Sequence, residues 1–185
     1  MSERVCPWWG GYFIDNPLRR LLHDPEKILG PYVQPGMTAM DVGCGMGFFT
    51  IAMARIVGDA GKVVAVDLQQ KMLDVLVKRA EKAGVADRIE ARRCEAENLG
   101  SDTTVDFVLA FAMVHEVPET TRFLEQVHGC LKPGGKFLVA EPRLHVPGKA
   151  FEAMVKIAEE VGFRLSDQPH VWGCRAALFA NAAGL

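Results

Sequence analysis

Hydrophobic and polar positions along this chain switch repeatedly between a strand-like run and a helical spacing of three and four. Met37-Thr-Ala-Met-Asp-Val42 reads as a short buried strand, and Phe48 to Val57 as the helix after it. Lys62-Val-Val-Ala-Val-Asp67 is a second strand. Gln69 to Ala83 predicts a helix with Met72, Leu73, Leu76, Val77 and Ala80 on one face, stopped by Gly84. Arg88 to Arg93 is a weaker strand nearer an edge, and Val105 to Phe111 a central one. Pro118 introduces a helix whose Phe123, Leu124, Val127 and Leu131 face the core; Lys132-Pro-Gly-Gly135 is a turn, and Lys136 to Ala140 a fifth strand. A helix around Lys149–Val161 turns Phe151, Met154, Val155 and Ala158 inward and ends at Gly162. Phe163 to Ser166 and Arg175 to Ala180 close the pattern as two strands. Alternation of this kind predicts an α/β domain, a mainly parallel sheet covered by helices on both faces.

The first 36 residues follow another pattern. Asn16-Pro17 and Asp24-Pro25 each set a capping residue before a proline, which predicts two short helices. Upstream lies Cys6-Pro-Trp-Trp-Gly-Gly-Tyr-Phe13, aromatic and rich in glycine. The chain therefore divides into a helical arm or lid, 1–36, and a ligand-binding domain, 37–185. Its 185 residues suffice for one real core, and the net charge of −2 with no basic stripe argues against a nucleic-acid partner. The longest apolar run, Phe107 to Val114, is too short to span a bilayer. The start of the chain lacks the pattern of a signal peptide. Five cysteines without a Cys-x-x-Cys pair fit reduced thiols and a cytoplasmic location.

Between the first strand and its helix stands Asp41-Val-Gly-Cys-Gly-Met-Gly47. Strand, glycine turn and helix make the unit by which doubly wound folds bring backbone up to a nucleotide. Residues 41–50 contain no Lys or Arg, which argues against a P-loop and suits a positively charged ligand beside Asp41. Asp67, ending the second strand 20 residues after Gly47, is placed to accept ribose hydroxyls, or else to cap the helix that follows. Leu68 would lie against a base. In Cys94-Glu-Ala-Glu-Asn-Leu99 a carboxylate or carbonyl is placed to accept the amino group of an adenine.

In this order, these segments with Val105-Asp-Phe-Val-Leu-Ala-Phe-Ala-Met-Val-His-Glu-Val117 and Leu131-Lys-Pro-Gly-Gly135 resemble the class I S-adenosylmethionine-dependent methyltransferases, over about residues 36–180. The likeness is greatest to the small-molecule group that includes quinone-biosynthesis and arsenite methyltransferases. It implies a Rossmann-like, seven-stranded, mostly parallel sheet with an antiparallel C-terminal strand. It implies S-adenosylmethionine as cofactor and S-adenosylhomocysteine as product. By position, Asp41, Gly43, Cys44, Gly45 and Gly47 would approach the methionine part, and Asp67 and Leu68 the nucleoside. Glu95 and Ala96 would meet the adenine, where many relatives carry Asp-Ala. Backbone at Ala110 and Phe111 would face the amino group. A sulfonium without phosphate agrees with the loop's lack of Lys and Arg.

Transfer would be an in-line attack by a small-molecule acceptor on the methyl group, helped chiefly by orientation. His115 and Glu116, after the fourth strand, are the candidate bases if the acceptor must lose a proton; the alternative for His115 is a structural role. Glu141 and His145, after the fifth strand, are candidates for the acceptor pocket, with Trp8, Trp9, Tyr12 and Phe13, which either shield the sulfonium or pack as an arm. His23, His128 and His170 lack a constellation, and no metal site is expected. Three other readings stay open. An NAD-dependent dehydrogenase shares part of the glycine pattern, though the spacing here is Gly-x-Gly-x-Gly. An RNA or protein methyltransferase would share the cofactor, as would a non-catalytic binding module. A monomer and a homodimer are equally compatible.

Overall fold

The computed structural model describes residues 22–100 and 103–182. Residues of successive strands alternate between two buried layers. Met40, Val42, Val64, Val66, Val108 and Ala110 belong to one; Ala39, Val63, Phe107 and Leu109 belong to the other. Both faces are therefore apolar, and helices cover both.

The elements run α1 (Pro25–Leu29), β1 (Thr38–Val42), α2 (Phe48–Val57), β2 (Lys62–Asp67), α3 (Gln70–Ala83), β3 (Ile89–Arg93), β4 (Val105–Phe111), α4 (Thr120–Cys130), β5 (Leu131–Pro142), α5 (Gly148–Val161), β6 (Phe163–Asp167) and β7 (Cys174–Asn181). The sheet has seven strands in the order β3-β2-β1-β4-β5-β7-β6. Pairings from β3 to β5 are parallel, and β7 runs antiparallel to both β5 and β6. Strand order reverses between β1 and β4. At that point the carboxyl ends of neighbouring parallel strands leave a crevice, the usual place for a ligand in such sheets.

Sequence explains most boundaries. Asp24 caps α1, its Oδ1 accepting from the amides of Glu26 and Lys27, with Pro25 at the first helical position. The other arm helix, expected at Asn16-Pro17, lies outside the described residues. Gly84 ends α3 and Gly162 ends α5, as the sequence predicted, and both are left-handed. On α3 the residues Met72, Leu73, Leu76 and Ala80 are buried, but Val77, assigned to the same face, is 40% exposed. The stripe is narrower than the spacing implied: Leu73 and Leu76 pack with Cys44, Ala65 and the edge-strand residues Ile89 and Ala91. Strand β3 is that edge, half-buried along most of its length, and Glu90 on it pairs with Lys62 at 2.6 Å and with Arg92. Charges on an edge strand discourage further pairing.

Two expectations need correction. Leu131 is not the last core residue of α4 but the first of β5, which follows the helix directly. Nor is Lys132-Pro-Gly-Gly135 a separate turn. Val105 pairs with Leu131 while Phe107 pairs with Lys136, so the Pro-Gly-Gly segment is looped out inside one strand. Proline and glycine are tolerated in a strand at such a bulge.

Candidate active site

Three groups of strand ends build the crevice: β1, then β2 with β3, then β4 with β5. At β1, the amides of Gly43 and Cys44 both donate to the Val66 carbonyl, at 2.9 and 3.1 Å, which bends the chain away from the strand. The bend is left-handed at Gly45 (φ +55°) and Gly47 (φ +88°), with different reasons for a missing side chain. A Cβ on Gly47 would fall 2.1 Å from Leu76 Cδ1, so that glycine is required by packing against α3. A Cβ on Gly45 would meet nothing within 4 Å: it would project into open space, filling the face over which a ligand would pass. Asp41 is buried and accepts from Thr50 Oγ1 at 2.5 Å, tying β1 to α2.

At β2, Asp67 is 8% exposed, and its two oxygens accept from the amides of Gly45 (2.9 Å) and Gln69 (2.8 Å). It is not the cap of α3; Gln69 occupies that position, and Asp67 makes an Asx-type turn to it instead. Burial pushes the Asp67 carboxyl above its ordinary range, against the pull of the Gln69, Gly45 and Leu68 amides. At β3 the Cys94 amide donates to the Asp67 carbonyl, which sets the following Glu95 and Ala96 beside it. This loop is stapled to α4: Gln126 accepts from the Leu99 amide and donates to the Glu97 carbonyl, and Arg122 pairs with Glu97 at 2.9 Å. A cleft opens there between Ala96, Leu99, Arg122 and Phe123.

The ends of β4 and β5 carry the third group. Ala112, immediately after β4, has φ +57°, an unusual backbone for a residue with a Cβ, and its amide donates to the Ala140 carbonyl at 2.7 Å. The strained step starts a short turn, Val114–Glu116. Met113 beside that turn touches the glycine loop, since a Cβ on Gly43 would lie 2.9 Å from its Cγ. Glu141, 2% exposed, sits beneath the turn. Its Oε1 accepts from the amides of Met113 (3.2 Å) and Val114 (2.8 Å), and its Oε2 bonds His115 Nδ1. On the other side of that ring, Nε2 lies 4.0 Å from Glu116 Oε1, and the His145 ring stands 5.8 Å away between centroids. His115, Glu116, Glu141 and His145 are thus one cluster, and Met113 joins it to the glycine loop. The pairing of Glu141 with His115, 26 residues apart, and the strained Ala112 had no signal in the sequence.

Phe111 is buried among rings, 4.5 Å from Phe49 and 5.2 Å from His23 between centroids. His23 has a structural place, its Nε2 2.8 Å from the Trp172 carbonyl. His128 has one too, packed against Phe163. Trp172 and Leu144 stand on adjoining loops, joined by the Arg143 amide to the Gly173 carbonyl, and are 57% and 97% exposed. Trp8, Trp9, Tyr12 and Phe13 lie outside the described residues. Burial, with Asp41 and Asp67 nearby, holds the Cys44 thiol well above its ordinary value, and burial beside Asp67 takes Cys94 up to about 11. Neither is a thiolate at neutral pH. Among the described residues no group of three His, Cys, Asp or Glu is arranged to hold a metal ion.

A crevice at the order reversal, a glycine bend without Lys or Arg, and an acid at the end of β2 define a class I methyltransferase fold. Comparison with known proteins agrees. A family model described as a methyltransferase domain matches residues 33–171, and the chain belongs to that family. A demethylmenaquinone methyltransferase of Lactobacillus johnsonii is 34% identical over 110 residues, covering 59% of this chain and 45% of that protein. The ubiquinone/menaquinone biosynthesis C-methyltransferase UbiE of Escherichia fergusonii is 33% identical over 125 residues, covering 65% and 50%. The chain thus spans about half the length of the curated relatives it matches. Among solved structures, a SAM-dependent methyltransferase of Aquifex aeolicus superposes with a TM-score of 0.85 at 28% identity, over 96% of this chain and all of that one.

Proposed function

We propose that this chain binds S-adenosylmethionine in the crevice at the carboxyl ends of β1 to β4 and methylates a small organic acceptor brought to the ends of β4 and β5. The observation that carries the reading is the coupling of Gly45 to Asp67. One carboxylate fixes the bare glycine bend through a backbone amide and still lies at the strand end where a ribose is received. The residues fit the cofactor. The open face at Gly45 admits a ligand against the main chain, and the buried acids Asp41 and Asp67 suit a cation. The segment 41–50 offers no Lys or Arg for a pyrophosphate.

When bound, S-adenosylmethionine supplies an electrophilic methyl group on a sulfonium. Asp67 and Leu68 would hold the nucleoside, Glu95 and Ala96 the adenine edge, and the backbone of residues 43–47 and 110–111 the methionine part. The turn at Val114–Glu116, touching the glycine loop through Met113, would present His115 to whatever stands beside the methyl group. Aligning the acceptor there would supply much of the rate, since orientation alone is worth roughly 7–11 kcal/mol in favourable cases. Relatives named for quinone biosynthesis favour an aromatic acceptor, and exposed Trp172 and Leu144 would give it an apolar approach.

The division into an arm, residues 1–36, and a cofactor domain, 37–185, belongs to the same proposal, with Trp8, Trp9, Tyr12 and Phe13 closing the acceptor pocket. So does a cytoplasmic setting, supported by the reduced thiols of Cys44, Cys94 and Cys130. Among the described residues no helix is long and apolar enough to cross a membrane. Mass spectrometry of small molecules retained by purified protein, with calorimetry for S-adenosylmethionine and S-adenosylhomocysteine, tests the cofactor. Heat with both is expected. Silence with both, and heat with a nicotinamide dinucleotide, would overturn the reading.

A further inference from the structure

Two loops at the crevice end of the sheet share a surface of one charge sign. One leaves the carboxyl end of β5 and the other leads into β7, and Pro142 pairs with Cys174 where they meet. Leu144 on the first is almost wholly exposed, and Trp172 on the second more than half. Single apolar side chains on a surface are ordinary, but these two stand on loops bonded to each other, Arg143 amide to Gly173 carbonyl. Residues 142–151 and 168–175 hold Arg143, Lys149 and Arg175 and no Asp or Glu, in a chain whose net charge is −2. Backbone carbonyls organise two of these cations: Arg143 Nε donates to Cys174 at 3.0 Å, and Arg175 to Val146 at 2.8 Å. Among the described residues none of the three forms an ion pair. The acids around the loops are committed or stand outside them. Glu141 is buried against His115, Asp24 pairs with Lys27 at 3.4 Å, and Glu152 and Asp167 lie beyond the two segments.

We propose that this surface docks the crevice end of the protein onto a bilayer containing anionic phospholipid, Leu144 and Trp172 entering the head-group layer while Arg143, Lys149 and Arg175 face its phosphates. Charge and shape together decide the occupant. Cations without countercharges suit a phosphate-rich partner, and a tryptophan, apolar except for one N–H, suits the boundary between head groups and acyl chains. A leucine standing out from a loop offers nothing to a base or a phosphate, which favours lipid over nucleic acid. A second copy packed symmetrically on this patch would set the same cations against each other. Two apolar side chains also fall far short of the roughly 800 Å² per partner of a stable protein interface. A small apolar insertion and a small basic patch each hold a membrane weakly, and acting together they give reversible attachment without a spanning helix. The first loop reaches the His115 cluster through His145, so docking would bring the crevice mouth to the lipid surface. That consequence rests on the methyltransferase reading; the docking itself does not.

The test floats the full chain with vesicles of phosphatidylcholine, alone or mixed with phosphatidylglycerol, in the absence of S-adenosylmethionine. Attachment is expected to the mixed vesicles only and should weaken as salt is raised. Leu144→Asp and Trp172→Ala should each lower the partition coefficient about tenfold or more. Lys149→Gln should lower it about fivefold, the share of one cation near an anionic surface. Lys136→Gln removes an exposed cation at the far end of the β5–β7 ladder, opposite Ala180, and should leave the coefficient unchanged. Leu144 and Lys149 are exposed, so thermal unfolding of their variants should match the parent and show the fold intact. No attachment to the mixed vesicles overturns the proposal, as does attachment that Lys136→Gln weakens as much as Lys149→Gln. Retention of a single-stranded RNA in place of the vesicles would overturn it too and assign the patch to nucleic acid. Calorimetry with S-adenosylmethionine is a separate arm: silence there would remove the cofactor reading and leave the flotation result intact.

Discussion

The two ends of the central strands use the same kind of side chain in opposite ways. At the amino ends, Asp106 on β4 accepts from the Thr38 amide at 2.9 Å and from Lys132 Nζ at 2.8 and 2.9 Å, a carboxylate neutralised by a cation and fully committed to joining β1, β4 and β5. At the carboxyl ends, Asp67 is held by two neutral amides, and Glu141 by two amides and a histidine. Burying a carboxylate without a cation is costly, and proteins retain such groups chiefly where they act. On the proposed reading the difference separates fastening from function: the Asp106 end closes the sheet, and the Asp67 and Glu141 end would leave charge for a ligand.

Substitutions should sharpen this contrast in a fixed order. Gly47→Ala should have the largest effect, because its Cβ would strike Leu76 and φ +88° strains any L side chain. A loss of about 2–5 kcal/mol in urea unfolding is expected. Stability within about 0.5 kcal/mol of the parent would show that the bend is not fixed by packing on α3. Asp67→Ala should come next and act on the ligand: removing an ionised acceptor costs about 1.5–3 kcal/mol of binding, roughly tenfold to a hundredfold in Kd for S-adenosylmethionine. Asp106→Asn should be mildest, about 1 kcal/mol or less in stability for its half-exposed partner Lys132, with cofactor affinity untouched. Equal effects of Asp67→Ala and Asp106→Asn on affinity would erase the distinction between the two ends.

Much of this was readable in the chain. The continuous apolar run Lys62–Asp67 and the helical stripe Phe151, Met154, Val155 and Ala158 name their own elements, because the strand is buried on both faces and the helix on one. The glycine bend and Asp67 were readable too, since a backbone that must turn left-handed and a carboxylate at a strand end leave few residue choices. What stayed hidden depends on distance in sequence. Glu141 and His115 meet only because β4 and β5 pair in a register that sets Phe111 opposite Ala140. Gly47 answers to Leu76, on another helix. Ala112 is an ordinary residue in an unusual conformation, and nothing in its side chain announces that.

The central claim is that Asp67, buried and raised by burial, is the charged anchor of a sulfonium nucleoside. Its raised value fixes the sign of two pH effects. The free protein gains stability from this group as pH falls through the window between the ordinary carboxylate value and the raised one, because the native state there binds the proton more readily. Ligand affinity runs the other way, since the ribose acceptor is the anion. Calorimetry of S-adenosylmethionine binding from neutral to acid pH tests this most directly. The account predicts constant affinity near neutrality, a decline that begins above the ordinary carboxylate range, and no such decline in Asp67→Asn. Affinity that is indifferent both to pH across that window and to the substitution would contradict it.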